Sequence, residues 1–297
     1  MNKMINLLSP LKVERAKSLL KRATRYQAEL SQTPLEHEVI DRATPIVWFG
    51  NASPNNWVTI ATNPSSKEFL DTDGTLLLGE KSRFYVRGKG VSLEEYEKND
   101  KQLESTIEMY NSYFERDTAY RSWFGKINGA KLEGFLNGMG GSLYSTHNMK
   151  EVVHTDFFPI PTRSQMSRIS SKNNLLESQF AKDFIRDTLD FLSPSLIIVL
   201  GKEHCSRLAS GKEFIFNSPK SIKDFPDAQY QIGFYHQLEV PVVGLHFKPS
   251  EQFIGLGGSK ADLNGKNHGE YAKKEALNEM GSEIMTELKV LFHNHLF

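Results

Sequence analysis

Pro194-Ser195-Leu196-Ile197-Ile198-Val199-Leu200-Gly201 decides the fold. The apolar run at its centre is strand-sized and bounded by turn residues, and it carries no polar face. A strand needs that character when a parallel sheet is covered on both sides. Just upstream, Leu176, Phe180, Phe184, Ile185, Thr188, Leu189 and Leu192 recur at helical spacing. They predict an amphipathic helix over 175–192 that Ser193-Pro194 ends. Downstream, the pattern predicts a helix over 203–209, a Lys/Phe/Pro-rich loop over 211–230, a strand over 237–245 and a closing helix over 270–292.

Working toward the N-terminus, Val152-Val153-His154-Thr155-Asp156-Phe157 reads as another strand. Trp123, Phe124, Ile127, Leu132, Phe135 and Leu136 suggest a helix before it, and residues 92–117 a long charged helical stretch. Residues 45–50 and 57–61 are β-rich. The Asn51-Ala52-Ser53-Pro54-Asn55-Asn56 turn between them predicts a hairpin or strand pair. Residues 9–32 form an amphipathic helix opened by Ser9-Pro10, whose Lys12, Arg15, Lys17, Lys21, Arg22 and Arg25 either face phosphates or make a solvated face. Strands alternate with helices, which predicts an α/β fold with a mostly parallel sheet.

Composition narrows the function classes. The 297 residues are 39% hydrophobic and 24% charged, ordinary for a folded soluble protein, with formal net charge zero. Binding a polyanion would therefore need a local basic patch. A single cysteine, Cys205, excludes an internal disulfide and a cysteine-ligated iron–sulfur cluster, and reads as a small buried hydrophobe. No apolar run approaches membrane-spanning length and no cleavable leader is visible, so a cytoplasmic monomer without membrane contact is expected. The nine histidines show no metal-ligand spacing, and nucleophile-elbow and Cys/His signatures are absent; no metal or cofactor is expected.

Ligands in α/β proteins sit in loops at the C-terminal ends of parallel strands. Three such loops carry polar residues beside prolines: Ala61-Thr62-Asn63-Pro64-Ser65-Ser66, Thr155-Asp156-Phe157-Phe158-Pro159 and His246-Phe247-Lys248-Pro249-Ser250. In this order the series resembles the uracil-DNA glycosylase superfamily, above all its mismatch-directed and single-strand-selective branches. Asn63-Pro64-Ser65 matches the family's Gly-x-Asn-Pro-Gly/Ser loop with Ala61 in place of Gly, and residues 194–201 match its middle strand.

The resemblance covers about residues 45–292. It implies a three-layer αβα sandwich with a central, mostly parallel sheet as a domain over 45–297, and residues 1–44 as a helical extension. It also implies a metal-independent DNA glycosylase that flips a damaged or modified base from DNA (single- or double-stranded) or acts on a nucleotide. Such an enzyme orients a water and stabilises the departing base anion. Asn63 would hold the water. Lys248 stands where the family keeps His or Asn before Pro-Ser, and either donates to the anion or contacts a phosphate; His246 takes the anion role if the loop bends differently.

Phe84, with Thr62 and Asp156, would meet the base, though Phe84 reads equally as core and Asp156 as a loop tie. Ser65, Ser66, Ser250, Arg163 and Arg168 would meet DNA, with Lys172 beside the arginines and Phe253 as a duplex wedge or a loop-packing residue. Gly257-Gly258-Ser259-Lys260, in the glycine-rich stretch over 255–269, is a weaker phosphate cradle. Two rival readings stand beside the enzyme: an inactive module of the same fold that binds nucleic acid, nucleotide or protein, and another nucleotide-processing enzyme on a similar sheet.

Overall fold

The computed structural model describes residues 9–251 and 272–292. In chain order the α-helices and strands begin with α1 (Pro10–Leu30), β1 (Trp57–Ala61), α2 (Leu93–Glu97), α3 (Asp100–Asn111), α4 (Arg121–Phe124) and α5 (Lys131–Met139). Next come β2 (Gly141–Ser142), β3 (Lys150–Asp156), α6 (Lys172–Leu176), α7 (Gln179–Leu192), β4 (Leu196–Leu200) and α8 (Lys202–Ser210). The chain continues through β5 (Phe214–Phe216), β6 (Lys220–Ile222), β7 (Phe225–Tyr235), β8 (Val240–Leu245) and α9 (Lys274–Leu291). None of the described helices is long and apolar enough to cross a membrane.

The fold is α/β, with one mixed sheet in the order β2-β3-β1-β4-β8-β7-β5 and β6 on β7. Its centre is parallel. Trp57 of β1 pairs with Leu196 of β4, and Ile197 of β4 with Val242 of β8. Every residue of β1, β4 and β8 is buried, as their largely apolar sequences require, and the polar Thr59 of β1 shares a 2.8 Å hydrogen bond with His154 of β3. Pro241 is tolerated in β8 because it lies one residue before the ladder with β4 begins. Beyond β8 the sheet turns antiparallel, with Tyr230 of β7 opposite Leu245.

The chain divides into two compact units. One comprises Met1–Ser53, Thr62–Ala119 and Thr155–Leu192; the other comprises Pro54–Ala61, Tyr120–His154 and Ser193–Phe297 and carries the sheet but for the last two residues of β3. In the sheet unit, α5 and α9 approach at backbone distance. A Cβ on Gly138 would lie 2.1 Å from the Asn278 carbonyl oxygen, and one on Gly281 2.3 Å from that of Phe135. Only glycine fits such a crossing.

In the other unit, α1 packs on α2, α3 and α7 through Ala16, Leu19, Leu20 and Ala23. Ser9 caps it by accepting from the Lys12 N–H at 3.3 Å, with Pro10 in the first turn. Its basic side chains have protein partners. Arg15 pairs with Asp190, Arg22 with Asp187, Arg25 with Glu97, and Lys17 and Lys21 with Asp100. Lys12 donates to the Ala52 carbonyl. The cations of α1 fasten it to its neighbours.

Two expectations of local structure are corrected. Residues 45–50 are buried but form no hairpin with β1; the Ile46 N–H goes to the Pro159 carbonyl and the Gly50 N–H to that of Tyr110, each at 2.8 Å. Residues 211–230 are not a loop, since β5, β6 and the first part of β7 lie there. The closing helix is present as α9, and the helix expected over 175–192 is divided into α6 and α7.

Candidate functional site

The turn after β1 is built around one amide. The Asn63 Nδ2 donates to the Thr162 hydroxyl at 3.0 Å, to the Pro64 carbonyl at 3.2 Å and to the Ile160 carbonyl at 3.4 Å. Carbonyl oxygens only accept, so these partners fix which end of the amide is nitrogen and leave Oδ1 on the opposite side. The neighbouring backbone repeats the link, because Phe158 N–H donates to the Thr62 carbonyl at 3.0 Å. Thr62 and Asn63 are half-buried and Ser65 is exposed. The Ser65 hydroxyl accepts from the Lys67 N–H at 3.2 Å and so caps the short 3-10 turn Ser66–Glu68.

That turn carries Glu68 inward. Its carboxyl is 2% exposed and accepts from the Tyr113 hydroxyl at 2.7 Å. Burial is the main cause pushing it up to about 8; the Asp156 carboxylate adds to the rise, and Tyr113, Arg83 and Arg116 oppose it. Asp156, the last residue of β3, is 3% exposed. Arg83 donates to the carbonyls of Thr118, at 2.7 Å, and Lys67. Arg116 donates to those of Arg83 at 2.6 Å and Met109 at 2.8 Å. Two guanidinium groups thus tie the Asn63 turn to residues 82–83 and 109–118.

Phe84 belongs to the aromatic core of this unit. It has no exposed surface, stacks on Tyr113 at 4.9 Å and meets Phe49 edge-on at 5.2 Å. Base stacking would need that core to open. Arg163 and Arg168 are exposed, and neither makes an ion pair with a described residue. The backbone places Arg163 directly after Thr162, the residue that holds Asn63; Arg163 N–H donates to the Glu38 carbonyl at 2.9 Å.

In the sheet unit, the turn after β8 is Lys248-Pro249-Ser250-Glu251, closed by the Glu251 N–H on the Lys248 carbonyl at 3.0 Å. Proline in its second position suits such a turn. Lys248 Nζ pairs with Glu251 at 3.2 Å, and its stem lies over Gly201, where a Cβ would come within 3.3 Å of Lys248 Cε. Ser250 is buried. Its hydroxyl donates to the Trp123 carbonyl and accepts from the Leu132 N–H at 3.0 Å, tying the turn to α5. The His246 Nδ1 has no hydrogen-bond partner among the described residues; burial, then Lys202, lowers the ring's proton affinity. Phe253 and residues 255–269 lie outside the described residues.

Asn63, Thr62, Ser65, Ser66 and Asp156 are therefore gathered in one unit with Arg163, while His246, Lys248 and Ser250 belong to the other. Sequence reasoning passed over Glu68, Tyr113 and Arg83. Glu68 followed by Phe69-Leu70 was the available signal, a charge beside an apolar pair in a short connection. The described residues hold no group of three or more His, Cys, Asp or Glu that could take a metal ion. No protein-family model matches the sequence, and no curated protein is significantly similar to it.

Proposed function

We propose that this chain is a metal-independent N-glycosyl hydrolase of uracil-DNA glycosylase type, its sheet the middle layer of a three-layer αβα sandwich. The observation that carries the reading is the anchored Asn63 amide. With Nδ2 held by three acceptors, Oδ1 is preset to accept from a water and aim it at a sugar carbon. A neutral amide suits a reaction whose transition state is already dissociative, since the water needs orientation more than deprotonation. Arg163 and Arg168, exposed and without ion pairs among the described residues, suit phosphates flanking a flipped nucleotide.

A second reading, a module that binds nucleic acid without cleaving it, is favoured by two observations. Lys248 already has Glu251 as partner, and Phe84 has no exposed face. Base release from single- and double-stranded DNA bearing uracil, hypoxanthine or modified cytosine separates the two, with DNA binding followed in parallel. Release that falls by ~100-fold or more in Asn63→Ala supports the hydrolase. Release that survives Asn63→Ala unchanged sinks the assignment, and binding without release from any substrate establishes the module.

A further inference from the structure

The Asn63 amide meets a hydroxyl whose own direction is set from elsewhere. Thr162 is 5% exposed, and its Oγ1 takes part in two bonds, with Asn63 Nδ2 at 3.0 Å and with the Ser164 carbonyl at 2.7 Å. A hydroxyl has one proton to give, and a carbonyl oxygen only accepts. The Thr162 proton therefore goes to Ser164, and its oxygen faces Asn63 as an acceptor. An amide NH2 satisfies that oxygen and an amide oxygen does not. The Ser164 carbonyl thus decides which end of the Asn63 amide points at Thr162.

Ser164 is held in turn by Glu38. One carboxylate oxygen of Glu38 accepts from the Ser164 N–H and the other from the Ser164 hydroxyl, each at 2.9 Å. The Glu38 backbone carbonyl accepts from the Arg163 N–H at 2.9 Å, and Val39 forms an antiparallel bridge with Thr162. One residue therefore fixes 163–164, directly beyond the hydroxyl that meets Asn63. A carboxylate accepts at both oxygens, whereas an amide of the same length accepts at one. The Glu38 side chain is 13% exposed, with the exposed His37 ring 3.5 Å from the oxygen that takes the hydroxyl. Glu38 precedes the part of the chain that carries the glycosylase resemblance, yet lies in the same compact unit as Asn63, Thr162 and Ser164.

We infer that Glu38 and Thr162 are positioning residues of the candidate site: Glu38 clamps Ser164, Ser164 orients the Thr162 hydroxyl, and that hydroxyl holds the Asn63 amide by its nitrogen. This rests on reading Asn63 as the residue that orients the water. Thr162 makes the shortest of the three bonds to Nδ2. The other two, to the Pro64 and Ile160 carbonyls, are 3.2 and 3.4 Å, and the longer lies beyond the usual N–H···O range. Without the Thr162 oxygen the amide is left with its weaker contacts and swings more freely. Without Glu38 the Ser164 carbonyl loses its fixed place, and the hydroxyl loses the acceptor that sets its direction.

The test follows the side-chain NH2 resonances of Asn63 by NMR in the full chain, assigned through their loss in Asn63→Ala. Thr162→Val keeps the shape, removes the acceptor and should shift both resonances. Thr162→Ser keeps the hydroxyl and should leave them near their wild-type positions. Glu38→Ala should move them the same way as Thr162→Val, by a smaller amount. Glu38→Gln keeps one acceptor for Ser164 and should fall between Glu38→Ala and the wild type; with the Thr162 pair it carries the test if Glu38→Ala does not fold. Where base release is measurable, Thr162→Val should lower kcat by roughly 10- to 100-fold with KM unchanged, because a misplaced water is felt in the chemical step. Thr162→Ser should restore it.

Asn63 resonances that stay in place in Thr162→Val, or in every Glu38 variant that folds, overturn the inference. So does a shift as large in Thr162→Ser as in Thr162→Val, or a rise in KM with kcat intact. If the resonances move as stated but no DNA substrate loses a base, the positioning role stands and the hydrolase reading falls.

Discussion

The turn after β1 and the turn after β8 handle charge in opposite ways. The first buries a carboxyl that holds its proton well past the ordinary carboxylate range; the second half-buries an imidazole that gives its proton up early. The first is knitted by side-chain amide, guanidinium and hydroxyl bonds to distant segments. The second is tied down by Ser250 and leaves Lys248 in a local pair with Glu251. One turn is preset. The other can exchange its ion pair for an incoming anion at small cost, because a part-exposed pair contributes little.

The contrast is broken most directly by pH. Between the ordinary carboxyl value of 4.5 and about 8, the folded chain keeps a proton on Glu68 that the unfolded chain has released. Stability should therefore fall as pH rises through that window and level off above it, by on the order of 5 kcal/mol at most. Urea unfolding at several pH values should show this slope, and Glu68→Gln should flatten it. His246 acts with the other sign. Its lowered proton affinity takes stability away as pH drops through and below 6.5, so His246→Gln should relieve the acid side.

Smaller effects test the second turn. Gly201 has φ +112°, and a Cβ there would press on Lys248 Cε; Gly201→Ala should cost ~1–3 kcal/mol by thermal or urea unfolding. Ser250→Ala removes the bonds to Trp123 and Leu132 and should cost ~1–2 kcal/mol, loosening amide protection at the start of α5. Lys248→Ala should be smallest, within ~0.5 kcal/mol in stability. A larger loss would mean that the second turn is as preset as the first.

Much of the sheet was legible because its central strands are written almost entirely in apolar residues. Leu196 to Leu200 has no other way to fold in a chain of this polarity. β7 was hidden because Pro226, Asp227 and Gln229 interrupt its first half, where the outward residues alternate with buried Phe225, Ala228 and Tyr230. Residues 45–50 misled in the opposite sense: they are apolar because they are buried, but their N–H groups are taken by carbonyls far along the chain. The Asn63 turn was visible through its proline and its place after a strand. Glu68 was not, since a three-residue helical turn has too few positions to reveal which way a carboxyl points. Phe84 shows the remaining limit, because an aromatic that lines a core and one that stacks on a base look alike in sequence.

The proline beside Asn63 has a consequence for how the protein ages. Asparagines deamidate when the next residue's backbone nitrogen attacks the side-chain carbonyl and closes a five-membered ring. Asn128 precedes Gly129, which has such a nitrogen, its N–H donated to the Lys126 carbonyl at 2.7 Å. Pro64 has no N–H to give, so this route is closed at Asn63. The amide at the centre of the turn is protected over the protein's lifetime by the same residue that shapes the turn around it.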